Sequence, residues 1–245
     1  MKKVLMFSYS IVAYLIGFAS LLLWILSVSH LIPEISIDQT PTKPFLIALL
    51  KNLGLVLLFG LQHSIMARQS FKKAFAKYFP KPIERSTFVL VSGLLLILLV
   101  FQWEPMGGTI WSIPEGSMLY YAIYAIFFTG WIILFISTFL INHFDLFGLR
   151  QTFLELQNKP YTKLDFKVIS FYKHVRHPLY FGGIVGLWAT STMTTTHLIF
   201  ALSLTAYFII GTLFEERDLK KEFGNTYEDY QAKTSMLIPF LKGKN

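Results

Sequence analysis

The chain contains no cysteine. Disulfides, thiolate metal sites and a cysteine nucleophile are therefore excluded. Charge is scarce too: 15% of the 245 residues are Asp, Glu, Lys or Arg, against about a quarter in an ordinary soluble domain. There is no internal repeat, no low-complexity tract and no polar segment long enough to form a water-soluble domain. What is abundant is apolar: 54% of residues are hydrophobic, 17% are aromatic, and mean hydropathy is positive.

An apolar run of about 20 residues crosses the hydrocarbon core of a bilayer. Such runs lie near Val4–Ser29, Phe45–Met66, Ser86–Gln102 and Met118–Ile141. The first follows Lys2 and Lys3 like a signal peptide, but it exceeds the roughly 7–15 residues of a signal core and reads as a retained helix. A longer stretch, Leu179–Phe214, is interrupted at residues 191–197 and reads as a tight hairpin of two spans. The expected fold is all-α: a polytopic membrane bundle of about six transmembrane helices, with a C-terminal hairpin and cytoplasmic interfacial helices. It forms a single domain over 1–245, with four spans in 4–141 and a C-terminal part in 142–245.

The net charge of +8 would suggest nucleic acid in a soluble protein. Here 20 of the 22 Lys and Arg fall in the N-terminus, Arg68–Arg85, Arg150–Arg176 and the C-terminal tail; only Lys43 and Lys51 fall elsewhere. Under the positive-inside rule this places both termini in the cytoplasm and the basic loops against anionic lipid. No nucleic-acid partner is expected.

That topology puts the polar groups at one set of helix ends. Gln62 and His63 close the second helix, Glu84 and Arg85 open the third, and Asn142, His143 and Asp145 close the fourth. Arg176, His177 and Tyr180 open the hairpin, and Glu215, Glu216 and Arg217 close it. A hairpin returns its end to its start, so these last two groups should be neighbours. The expectation is a single cytoplasmic pocket faced by five helix ends. Ionisable groups at membrane depth are costly and point to function. Asn52 and His63, eleven residues apart, share a helix face, and such a polar stripe should face the bundle interior. The bland alternative for His63, His143 and Asp145 is interfacial polarity.

The densest signal is the string Lys173–Gly182. Pro178 pushes His177 out of the α region and starts a helix whose first-turn amides favour an anion. Arg176 adds a forked cation. Gly182 and Gly183 allow close approach of a ligand or another backbone. His174 and His177 have helical spacing, but Pro178 breaks the helix and no thiolate is available, so no metal is expected. Downstream come Glu215–Glu216, Phe223–Gly224, Tyr227, Tyr230 and Ile238–Pro239.

These two segments together resemble the isoprenylcysteine carboxyl methyltransferase superfamily of membrane methyltransferases. That pattern is an Arg-His-Pro-x-Tyr-x-Gly-like string, a hairpin, a Glu-Glu pair, Phe-Gly-x-x-Tyr-x-x-Tyr and a closing Ile-Pro. Residues 59–68, 83–87 and 142–150 further resemble the NnrU-like branch, most closely its bacterial methanethiol S-methyltransferases. The resemblance implies S-adenosylmethionine as methyl donor, methanethiol as acceptor, dimethyl sulfide as product and the bacterial inner membrane as location. It implies cofactor contacts from His174, Arg176, His177, Pro178, Tyr180, Gly182, Glu215 and Glu216. The candidates for proton transfer or thiolate stabilisation are His63, Arg85, His143, Asp145 and Glu216. Gln62, Asn142 and Tyr227 are candidates for substrate contact. The rivals are a lipid or isoprenylated acceptor on the same scaffold, a related sterol reductase, and a non-enzymatic transporter.

Overall fold

The computed structural model describes residues 1–239 and 241; Lys242 and Lys244, two of the tail's basic residues, lie outside them. Ten helices occur among the described residues: α1 Lys2–Ser29, α2 Phe45–Ala67, α3 Gln69–Tyr78, α4 Glu84–Gln102, α5 Met118–Ile141, α6 His143–Leu146, α7 Leu149–Leu156, α8 Pro178–Trp188, α9 Thr195–Phe223 and α10 Asn225–Lys233. Two short strands, β1 Thr109–Ser112 and β2 Thr192–Thr194, pair with each other. The chain is a polytopic helical membrane protein: α1, α2, α4, α5 and α9 are each long and apolar enough to cross a membrane.

The sixth expected span differs. α8 has eleven residues, about 16 Å of helix, roughly half the hydrocarbon core. It stops at Trp188, and residues 189–194 run on without helix into β2. Thr195, Thr196 and His197, expected in the turn, instead open α9. The polar backbone of the extended part is satisfied locally: the Ile113 N–H donates to the Ser191 carbonyl at 2.8 Å, and the Trp111 indole donates to the Thr190 carbonyl at 3.3 Å.

The chain forms two compact units. The first comprises Met1–Thr109, Asn142–Lys163 and Thr194–His197; the second comprises Ile110–Ile141, Leu164–Met193 and Leu198–Asn245. In the first, α1 and α4 pack through small residues. A Cβ on Gly93 would lie 2.9 Å from the Gly17 Cα, so the two backbones touch there. Ser10 and Ser86 share a hydrogen bond of 2.6 Å across the same contact. α2 lies against α4, yet only 11% of its apolar stretch is buried. Its exposed Leu46, Leu50, Leu57 and Leu61 form a lipid-facing surface. The turn between α6 and α7 needs Gly148: its φ is +86°, and a Cβ would meet the Ser86 amide nitrogen at 2.5 Å. That contact fixes α6 and α7 beside the start of α4.

In the second unit α5 and α8 cross with equal intimacy. A Cβ on Gly130 would lie 2.6 Å from the Gly186 nitrogen, and one on Gly182 would lie 2.5 Å from the Gly130 carbonyl oxygen. α8 also meets α9, where Tyr180 packs on Phe208 and the Trp188 indole donates to the Thr205 hydroxyl at 3.0 Å.

Candidate functional site

In the second unit the backbone before α8 is bent by Pro178, as expected. His177 has φ −125° and ψ 64°, and Pro178 takes the first helical position. The bend lets the string pair with the segment after α10. The Arg176 N–H donates to the Ser235 carbonyl at 2.8 Å, and the His177 N–H to Met236 at 3.1 Å. These bonds hold both side chains inward, where both are buried.

The hairpin brings Glu216 to them. The Arg176 Nε–H donates to Glu216 Oε1 at 2.6 Å, and His177 Nε2 lies 3.1 Å from the same oxygen. The Gln231 amide donates to the second oxygen, Oε2, at 2.6 Å. Arg176 Nη1 further donates to the carbonyls of Gln231 and Thr234. Glu216 thus receives three polar contacts from side chains of its own chain. A buried charge pair tolerates low dielectric only when it is hydrogen-bonded in this way.

Glu215 differs. Its side chain is 45% exposed, against 8% for Glu216, and its Oε2 lies 3.6 Å from His177 Nδ1. His177 therefore stands between an enclosed carboxylate and an open one. Tyr227 is 1% exposed, and its hydroxyl has no hydrogen-bond partner among the described residues. Burial, followed by the negative charge of nearby Glu216, pushes its phenol well above the ordinary range, so it stays a neutral donor. Tyr230 packs on Tyr227, and its hydroxyl donates to the Tyr172 carbonyl at 2.6 Å.

The remaining string residues have other duties. His174 is exposed at the end of a 3-10 turn. Tyr180 stacks near both His177 and Phe208. The close neighbour of Gly182 is the backbone of α5.

The first unit holds the other candidates, and His63, Arg85 and His143 all border one hydrophobic cluster that contains Phe88 and Phe147, with Tyr14 and Leu146 packed against it. His63 Nδ1 lies 3.4 Å from the Ser92 hydroxyl, which also contacts Gln62, and its ring meets Phe88 edge-on at 4.6 Å. The Arg85 guanidinium covers the same Phe88 ring at 4.6 Å, while its Nε–H donates to the Leu146 carbonyl at 2.6 Å. His143 is buried, 3.0 Å from the Tyr14 hydroxyl and 4.7 Å from the Phe147 ring. Burial lowers its pKa below the ordinary imidazole value. Asp145 pairs with Arg150 at 2.9 Å and accepts from the Tyr161 hydroxyl at 3.3 Å. Asn142 caps α6 by accepting from the Asp145 N–H at 3.0 Å. Asn52, on the His63 face of α2, exchanges two 2.8 Å bonds with the Glu104 backbone.

Sequence reasoning missed Gln231 and Thr234, which complete the Arg176–Glu216 cluster. Their only signal was position, a few residues beyond the Tyr227–Tyr230 pair.

The family described as NnrU protein matches residues 52–243. A methanethiol S-methyltransferase of Crocosphaera subtropica is 46% identical, over 86% of this chain and 82% of its own length. Another of that name from Mycobacterium tuberculosis is 40% identical over 98% of both chains. Nurim of Bos taurus is 28% identical over 73% of this chain and 70% of its own. No solved structure matches.

Proposed function

Because the chain is a methyltransferase of the NnrU family, we propose that it transfers a methyl group from S-adenosylmethionine to methanethiol at the cytoplasmic face of the inner membrane. The observation that carries this reading is the buried Arg176–Glu216–His177 cluster beside the unpartnered Tyr227 hydroxyl. An ionic cluster enclosed by the chain's own donors, next to one unmatched buried donor, suits a polar ligand better than packing alone.

The residues fit the cofactor's groups. Its carboxylate suits Arg176 or the first-turn amides of α8, and its ribose hydroxyls suit a carboxylate acceptor. Glu216 is already engaged on both oxygens. The open Glu215 is therefore the acceptor in this reading, and Glu216 the positioning residue that orients Arg176 and His177. When bound, the cofactor supplies a methyl group already activated on a sulfonium. The chain's remaining tasks are alignment and a thiolate.

The three candidates for taking the thiol proton differ in their polar contacts. Asp145 is committed to Arg150 and Tyr161, and His143 is buried against Tyr14 and Phe147. His63 makes a longer 3.4 Å contact with a neutral hydroxyl and shares the Phe88 ring with Arg85. In this proposal His63 takes the proton and Arg85 favours the thiolate.

The test is headspace gas chromatography on detergent-purified protein given S-adenosylmethionine and methanethiol, with cofactor binding measured in parallel. The expected outcome is dimethyl sulfide above a no-enzyme control, abolished in His63→Ala with cofactor affinity retained. Cofactor binding without dimethyl sulfide overturns the acceptor and moves the search to lipid and other thiol acceptors. Folded protein that binds no cofactor overturns the donor.

A further inference from the structure

In the first unit, away from every residue used above, two histidines meet a carboxylate. His30 ends α1, Asp38 lies in the loop that follows, and His197 sits in the first turn of α9. One ligand atom from each lies within 4.8 Å of the others. Sequence reading could not group residues so far apart.

We infer that His30, Asp38 and His197 form a binding site for a divalent first-row transition ion of the zinc class. His30 Nε2 lies 2.6 Å, and His197 Nδ1 3.7 Å, from Asp38 Oδ2. Tetrahedral bonds of about 2.0–2.1 Å put neighbouring ligand atoms about 3.3 Å apart, so each imidazole need move by less than about 1 Å. Two imidazoles and one carboxylate, with no thiolate, favour this ion class over magnesium or calcium, which prefer all-oxygen sites.

The surroundings are built to aim these ligands. The Thr194 hydroxyl donates to Asp38 Oδ1 and accepts from the His197 N–H at 3.0 Å, orienting two ligands at once. The Asp38 N–H donates to the Ser36 hydroxyl at 3.1 Å, and the Ile37 N–H returns to the Ser27 carbonyl at 3.0 Å. His30 closes α1 in the left-handed conformation, φ 59° and ψ 8°, a common helix ending. Its ring stacks on that of His197 at 5.5 Å. Side-chain exposure is 1% for His197, 7% for Asp38 and 19% for His30. The site is thus closed on two sides and open at His30, where an ion and its water ligand can enter. The ion's duty is to clamp the end of α1 to the first turn of α9, independently of methyl transfer.

The experiment uses full-length protein carrying no polyhistidine tag, purified in detergent, stripped with EDTA and titrated with ZnCl2 and then CoCl2. One equivalent of Zn2+ per chain, a raised Tm and visible Co2+ bands of a four-coordinate nitrogen and oxygen site are expected. Asp38→Asn and His197→Gln should each weaken binding at least tenfold. Absence of saturable Zn2+ binding by the wild type, or unchanged affinity in both variants, overturns the site. Should a variant fail to fold, the wild-type Co2+ spectrum decides, and absence of those bands overturns the inference. None of these readouts needs methyl transfer, so the site and the proposed activity stand or fall separately.

Discussion

Adjacent glutamates in one motif sit in different surroundings. Glu216 is an internal acceptor whose removal strands Arg176 in a buried setting, where breaking such a pair costs about 3–5 kcal/mol. Glu216→Ala should therefore lower unfolding free energy by about 3 kcal/mol and abolish cofactor binding with it. Glu215→Gln should change stability by less than about 0.5 kcal/mol, as exposed substitutions do. It should still weaken cofactor binding about tenfold, the scale of one lost charge-assisted hydrogen bond. Denaturant unfolding and equilibrium binding on both variants check the pair. Equal stability losses would show that Glu215 is also structural. The motif made both residues visible in the sequence. Their different roles were not legible there, because the roles depend on Gln231 and on the turn of α9 that encloses one carboxylate and exposes the other.

Among the elements, the helices were legible and their crossings were not. Hydropathy located α1, α2, α4 and α5 to within two residues at each end, because a lipid-facing helix must be apolar almost all round. α8 ends within two residues of the interruption expected at Ser191, but it is too short to count as a sixth full span, and Thr195–His197, expected in the turn, are helical. Gly182 drew attention as a place of close approach, and the partner proves to be α5. Gly182→Ala should thus destabilise by about 1–3 kcal/mol through overpacking against Gly130 and Leu134. Gly211→Ala, on α9 with nothing within 4 Å of the added Cβ, should stabilise by up to about 1 kcal/mol. Thermal unfolding of the two variants should shift in opposite directions. A neutral Gly182→Ala would show that α5 and α8 yield at their contact.

For the whole molecule, charge sets the arrangement. In the first unit one end gathers Lys2, Lys3 and Lys81 around a cleft of about 280 Å³, and Lys3 also reaches Glu155 and Asn158 of the α7 region. Lys43 and Lys51, the two exceptions to the basic pattern, both meet Glu104 Oε1 at 2.5 Å. One carboxylate thus offsets one of these two positive charges, which reduces the departure from the segregation read in the sequence. Hydrogen bonds from Lys43 and Lys51 lower the Glu104 pKa below the usual carboxylate value. A carboxylate depressed in the folded state adds stability that is full above its unfolded pKa and lost as pH falls through the folded one. Wild type should accordingly lose stability below about pH 4.5, the ordinary glutamate range, more steeply than Glu104→Gln, measured as Tm against pH in detergent. The same segregation predicts orientation. With no native cysteine, single-cysteine variants report cleanly. Lys159→Cys, in the basic end, should react with a membrane-impermeant maleimide only after cells are opened, and Thr42→Cys, near the Lys43–Glu104–Lys51 cluster, in intact cells once the outer membrane is permeabilised. The reverse pattern would invert the protein in the membrane and remove the cytosolic supply of cofactor on which the proposed reaction depends.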